Sequence, residues 1–257
     1  MKILITAGGT SECIDDVRRI TNTGTGRLGA KIAERFFAAD PSNSITYICS
    51  ENAARPGLDV FSEIVCDDVE SVKKAVERVL AKTKIDVIIH SMAISDYMVS
   101  AVSESGLITK SVIERLSLLA CGDSASPEEA VRDALLSPPG VKENKISSDK
   151  EDLIVVMKKA PKIIALLRGL APGAVIVGFK LLSGAGEEEL SRAGHALLIK
   201  NDCDLVFAND IQAIKGDQHD GILISRDGSY EYASGKDWIS ELIVENAGKA
   251  FIEKVWR

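Results

Sequence analysis

Short β-branched apolar runs separated by stretches of helical period constrain this 257-residue chain more than any other feature. The runs are KILITAG at 2–8, SITYICS at 44–50, DVIIHSMA at 86–93, AVIVGFKL at 174–181, DLVFAND at 204–210 and GILIS at 221–225. Near-continuous apolar runs of that length describe strands buried on both faces. Between them, GRLGAKIAERFFAA places Leu28, Ile32, Phe36 and Phe37 on one side of a helix. DVESVKKAVERVLAK starts at the capping-type Asp67 and Asp68 and repeats Val72, Val76 and Val79. Further helices are predicted at 161–171, 187–200 and 237–255. The alternation predicts an α/β fold: a Rossmann-like, doubly wound, mostly parallel sheet in a single domain spanning 1–257.

After the third core strand the alternation breaks. Between Asp96 and Lys145 the chain reads SVIERLSLLACGDSASPEEAVRDALLSPPG, a helix pair interrupted by a Gly/Ser/Pro loop. Ser126-Pro127-Glu128-Glu129 has the form of a helix start, and Pro138-Pro139-Gly140 that of a stop. A separate domain is not expected at this size. The segment from about 100 to 158 is predicted to be a helical and flap-like insertion, a lid or a patch for self-association.

Composition narrows the partners. A net charge of -7 and a pI near 5.2 lack the basic stripe a nucleic-acid surface needs. No apolar run approaches the roughly 18 residues of a membrane span. MKILITAGG, with one Lys and a very short apolar core, does not have the pattern of a signal peptide. The five cysteines (Cys13, Cys49, Cys66, Cys121, Cys203) are odd in number and free of C-x-x-C pairs. Reduced thiols in a cytoplasmic protein are expected. His90, His195 and His219 stand alone without metal-ligand spacing, and structural or surface roles are expected for them.

In open parallel sheets ligands bind beyond the carboxyl ends of the strands. Gly8 and Gly9 of AGGT follow the first strand, and SMAISD, ending in Asp96, follows the third. Phe179-Lys180 and Asn209-Asp210 end two later strands. TNTGTGRLG at 21–29 sets Gly24, Gly26 and Gly29 at a helix start, where backbone N–H groups make a phosphate cradle. The alternative is that these glycines serve only turns and helix packing. A nicotinamide dinucleotide fits poorly. Its glycines should follow the first strand directly, yet SECIDDVRRI intervenes, although Glu51 lies 22 residues past Gly29. YASGK (Tyr232 to Lys236) supplies the letters of a short-chain oxidoreductase Y-x-x-x-K, but too near the C-terminal end. A non-catalytic nucleotide-binding module on the same fold is a further alternative.

Six ordered motifs carry a resemblance: ILITAGGT, DDVRRITNTGTGRLGAKIAE, AISDY, KISSDKEDLIVVMKKAPKII, VGFKLLS and VFAND. From residue 2 to about 210, leaving out 103–141, the chain resembles phosphopantothenoylcysteine synthetases (phosphopantothenate–cysteine ligases) of coenzyme A biosynthesis. It looks like the stand-alone form, without the flavin-dependent decarboxylase found in fused members. The resemblance implies a two-step ligation using Mg²⁺ and a nucleoside triphosphate. The carboxylate of 4'-phosphopantothenate attacks the α-phosphate, giving an acyl-nucleotide and pyrophosphate. The amine of L-cysteine then attacks the acyl carbon and releases the nucleoside monophosphate. CTP is expected as the preferred nucleotide, with ATP as the alternative, and a homodimer is implied.

By the same resemblance, Asn22 contacts the pantothenate moiety and the acyl-nucleotide. Gly8, Gly26 and Gly29 match phosphate-loop glycines, and Gly24 stands where family members often carry a serine. Arg18 matches an arginine that reaches substrate in the neighbouring subunit, or else is a solvated charge. Ala93 and Asp96 would line the pantothenate pocket, with Asp96 also able to order the metal, and Met92 replaces a small residue there. Lys145 resembles a flap lysine that offsets charge on the α-phosphate. Phe179 would pack on the nucleotide or in the core, Lys180 would lie near the phosphates, and Asn209 would contact the nucleotide.

Overall fold

Ile3, Leu4 and Ile5 are all fully buried, as a strand covered on both faces requires. They belong to β1 (Lys2–Ala7), the first of twelve strands among the described residues. The others are β2 (Ser11–Cys13), β3 (Arg19–Thr21), β4 (Ser44–Cys49), β5 (Ser62–Val65), β6 (Val87–His90), β7 (Tyr97–Ser103), β8 (Ile154–Lys159), β9 (Val175–Leu182), β10 (Leu205–Lys215), β11 (Gln218–Ser225) and β12 (Tyr230–Ser234). The helices are α1 (Arg27–Ala39), α2 (Val69–Lys82), α3 (Ser105–Ala120), α4 (Pro127–Leu136), α5 (Ile163–Leu170), α6 (Glu187–Asn201) and α7 (Lys236–Val255). The computed structural model describes residues 1–120, 125–140, 145–216 and 218–256, so Cys121 lies outside the described residues. The other four cysteines are unpaired thiols. Among the described residues no helix is long and apolar enough to cross a membrane.

The chain forms two compact units, one of Met1–Thr10, Asn22–Ile94 and Lys162–Arg257, the other of Ser11–Thr21 and Ser95–Pro161. The first unit holds an eight-stranded sheet in the order β12-β11-β10-β9-β6-β1-β4-β5. β9, β6, β1, β4 and β5 run parallel, as does β10 on β9, while β11 and β12 are antiparallel additions at one edge. This is the doubly wound, mostly parallel sheet that the alternation predicts. Ile3, Ile5, Val87, Val177 and Phe207 share a core with Ile32 and Phe36 of α1 and Ile239 and Ile243 of α7. Gly194 of α6 packs against Ala208 and Ile224 on the opposite face.

Capping sets one helix start within a residue. Asp68, not Asp67, is the N-cap of α2, accepting from Ser71 N–H in a capping box. The short edge strand β5 was not expected: SEIV is largely exposed and too polar for a buried-strand pattern.

In the second unit β2 pairs with β3 and β7 with β8, both antiparallel, and α3 and α4 form the expected helix pair. Ser126 caps α4 in a capping box with Glu129, and Pro127 fills the first helical turn. The segment expected at about 100–158 makes up most of this unit. The apolar pattern predicts no strands here and does not connect residues 11–21 to this unit.

His90 is a core residue of the first unit, its Nδ1 2.9 Å from Thr6 Oγ1. Burial pushes its pKa down to about 4. The unfolded chain, with an ordinary histidine value, therefore binds the proton first as pH falls, and the stability His90 contributes is full above about pH 6.5. Lowering the pH from about 6.5 to 4 is expected to remove about 3 kcal/mol through His90 alone. Urea midpoints of wild type and His90→Gln across that range check this; the variant's curve should be flatter by that amount.

Candidate functional site

The strand order reverses between β1 and β6: β4 and β5 lie to one side of β1, and β6, β9 and β10 to the other. The crevice beyond the carboxyl ends of such a switch point is where α/β sheets hold ligands. A cavity of about 570 Å³ opens there, within the size range of small-molecule sites.

One end is built from glycines. Gly8, at φ +93°, turns the chain out of β1, and a Cβ there would sit 2.2 Å from Ser50 Oγ. A Cβ on Gly9 would lie 2.3 Å from the Asn22 carbonyl oxygen, and one on Gly24 2.4 Å from that of Gly8. A serine at 24, common in the resembling family, therefore requires the backbone to move. Gly29 lets α1 approach β1, since its Cβ would stand 2.7 Å from that of Ala7. These glycines thus have a packing role in the loop and at the start of α1. Gly26 is the N-cap of α1 at φ +72° and offers no side-chain cap, and the first turn carries no acidic residue. Its amide groups and the positive end of the helix dipole are left for an anion.

Asn22 is half-buried and ties this loop to the segment after β6. Its N–H donates to Thr10 O at 2.9 Å and its Nδ2 to Ala93 O at 2.9 Å, while Thr10 N–H also donates to Ala93 O. One amide hydrogen is therefore spent on Ala93, which leaves a second N–H and Oδ1 for the cavity. Gly24, Gly26, Gly29, Met92 and Ala93 line the same space as Asn22.

At the other end stand Phe179 and Leu181 of β9, two strand spacings or roughly 10 Å from β1, and Asn209 of β10, three spacings or roughly 14 Å away. Phe179 lines the cavity and also packs against Phe207 at a centroid distance of 5.8 Å. Lys180 is not brought there. Strand side chains alternate between faces, so with Phe179 and Leu181 turned to the cavity, Lys180 faces the other side of the sheet. Gly9 supports the site through its backbone rather than lining it.

Sequence reasoning missed the wall after Asn209. β10 continues past the expected end to Lys215 through a bulge between Asn209 and Ile214, which brings Ile211 and Ile214 to the cavity together with His219 and Lys236. Lys236 is buried and its Nζ donates to Gly216 O. Tyr232, its partner in the oxidoreductase pattern, is exposed on β12 and does not line the cavity.

Arg18, Asp96 and Lys145 belong to the second unit. There the carboxylate of Asp15 accepts from the N–H groups of Arg18 (2.7 Å), Val17 (2.8 Å) and Ile146 (3.1 Å). The Arg18 bond, followed by that from Val17, holds the carboxyl below its ordinary value. Arg18 Nη2 donates to Ile146 O at 3.0 Å. Arg18 and Asp15 thereby clasp the residue next to Lys145, which is exposed. Arg18 is not simply a solvated charge, and Asp15 is a residue the sequence reading did not single out. Asp96 is exposed, and its carbonyl accepts from Ala160 N–H. Among the described residues no three His, Cys, Asp or Glu side chains group as a metal cluster.

These features define a Rossmann-like α/β protein with its cavity at the topological switch point. The family described as the DNA/pantothenate metabolism flavoprotein C-terminal domain matches residues 1–121 and 130–249, and the chain belongs to it. That match takes in most of 103–141, which the motif resemblance left out, and extends beyond residue 210. The coenzyme A biosynthesis bifunctional protein CoaBC of Methanocaldococcus jannaschii is 30% identical over 250 residues, covering 96% of this chain and 50% of that protein. The chain spans about half the length of the curated relatives it matches. The crystal structure of the DNA/pantothenate metabolism flavoprotein from Streptococcus pneumoniae superposes with a TM-score of 0.77 at 31% identity, over 97% of this chain and 99% of that one. A Cab2 mutant in complex with phosphopantothenate-cysteine has the same fold, with a TM-score of 0.68 at 18% identity over 99% and 87% of the two chains.

Proposed function

We propose that this chain is a phosphopantothenate–cysteine ligase. The observation that carries the reading is the switch-point cavity, with an uncapped, glycine-lined helix N-terminus at one end and an amide, Asn22, beside it. Family membership and the phosphopantothenate-cysteine held by the Cab2 mutant support the choice of substrates. A carboxylate is a poor acyl donor because its leaving group would be oxide, and a nucleotide ester makes it a good one. Bringing the carboxylate to a triphosphate sets two anions together. Aligned amide groups of α1 and the Asn22 side chain offset that repulsion and stabilise the charge that develops.

In this reading the carboxylate oxygen of 4'-phosphopantothenate bonds to the α-phosphorus and pyrophosphate leaves. The cysteine nitrogen then bonds to the acyl carbon, losing a proton as the nucleoside monophosphate departs. Gly8, Gly24, Gly26 and Gly29 hold phosphates, Phe179 and Asn209 contact the nucleoside, and Ala93 and Asp96 serve the pantothenate. Arg18 reaches substrate of a second subunit in a homodimer. Mg²⁺ arrives with the triphosphate, held chiefly by phosphate oxygens and water, as that ion commonly is. CTP is the proposed nucleotide and ATP the competitor, with the reaction placed in the cytoplasm.

Pyrophosphate release from CTP and from ATP, with 4'-phosphopantothenate, Mg²⁺ and cysteine present or singly omitted, tests this. Release should require phosphopantothenate, whereas cysteine should be needed only for the coupled product. No release with either triphosphate would remove the ligase reading.

A further inference from the structure

Asn209, proposed above as a nucleoside contact, is paired in the cavity wall with a residue that the ligation chemistry above does not use, His219. Asn209 Nδ2 lies 2.9 Å from His219 Nε2, and both residues are buried, Asn209 at 5% exposure and His219 at 7%. An amide NH₂ group only donates, so Nε2 is the accepting nitrogen of the ring and the proton sits on Nδ1. Among the described residues, that buried Nδ1 has no hydrogen-bond partner. The ring is also fixed edge-on against Phe207, at a centroid distance of 5.8 Å. Burial, helped by the neighbouring Lys236, pushes the His219 pKa down to about 4, so the neutral ring is the working form at physiological pH.

An asparagine amide presents its NH₂ and its carbonyl on opposite edges. With one amide N–H tied to His219, the fixed amide leaves Oδ1, an acceptor, and its second N–H for a ligand. We infer that His219 is a positioning residue that locks the Asn209 amide so that the cavity selects a nucleotide by a group that donates a hydrogen bond at this point. This rests on the nucleotide reading of the cavity. A sugar hydroxyl and an exocyclic amine share that chemistry. Cytosine and adenine carry such an amine where uracil and guanine carry a carbonyl oxygen. A keto base would set two acceptors face to face, and a deoxy sugar would leave Oδ1 unpaired.

The test is equilibrium binding of CTP, UTP, ATP and GTP, and of 2'-deoxy and 3'-deoxy CTP, to the full chain, with no turnover required. Wild type should bind CTP over UTP and ATP over GTP by about tenfold if the amine is read, or ribo over one deoxy form if the hydroxyl is read. His219→Phe keeps the ring on Phe207 but cannot accept, and should lose most of that discrimination while unfolding at a temperature close to wild type. His219→Gln, whose Oε1 can accept from Asn209, should restore it. Equal wild-type binding of every triphosphate would overturn the inference, as would a His219→Phe variant that discriminates as well as wild type, or a His219→Gln variant no better than His219→Phe. Selective binding without pyrophosphate release would sink the ligase reading alone. Absence of any triphosphate binding would sink both.

Discussion

Replacing Asn22 with alanine is expected to lower product formation about a hundred- to a thousandfold, the usual effect of deleting a preorganised donor from an acyl-transfer site. The structure indicates why the fold should survive. Asn22 gives up one side-chain bond to Ala93 O, worth about 1 kcal/mol, while that carbonyl keeps its bond from Thr10 N–H and the backbone bond from Asn22 N–H to Thr10 O is untouched. The same geometry separates two variants. Asn22→Asp matches the shape but sets a carboxylate oxygen toward Ala93 O and brings negative charge to the anion end of the cavity, so it should be at least as poor as alanine and should raise the KM for the triphosphate. Steady-state coupling of phosphopantothenate to cysteine, with thermal unfolding of each variant as control, measures this. Turnover of Asn22→Ala within a few-fold of wild type would take the central residue out of the mechanism.

The sheet was legible because its strands are buried on both faces and so read as continuous apolar runs. That is why β1, β4, β6, β9, β10 and β11 lie where the sequence places them. β5, β7 and β8 were not legible, since short, half-exposed strands carry no such pattern. At the cavity, the glycine loop announced itself because three glycines at a helix start are uncommon without cause. Asn209 was visible as a polar residue at the end of a strand run, and its contact with a nucleotide was suggested only by a family motif. His219 gave no signal as a lone histidine, because its pairing with Asn209 depends on β11 folding back beside β10 after the bulge. Lys180 misled for the opposite reason. A cation beside a site residue looks useful in a linear motif, but a one-residue step along a strand turns it to the other face. Asp15 was overlooked because it acts across more than a hundred residues of sequence, on Ile146.

That long-range clasp shapes the second large expectation. Lys145→Ala should slow nucleotide activation about a hundredfold, seen as pyrophosphate release in a single turnover with phosphopantothenate present. An ammonium that offsets charge developing on the α-phosphate acts on the first bond-making step and contributes little to the attack of cysteine on a formed acyl-nucleotide. Synthetic acyl-nucleotide supplied with cysteine should therefore be consumed by Lys145→Ala at close to the wild-type rate. Lys145→Arg keeps the charge but changes its shape and reach, and should fall between the two. Ile146, held by Asp15 through its N–H and by Arg18 through its carbonyl, fixes the backbone from which Lys145 extends. Asp15→Ala frees that backbone while leaving the lysine in place. It should slow the same step by about tenfold, the loss expected when a reacting group is less well oriented rather than removed. Equal pyrophosphate release by wild type and Lys145→Ala would move the role to another cation, and an Asp15→Ala variant that lost only the cysteine step would detach the clasp from nucleotide activation.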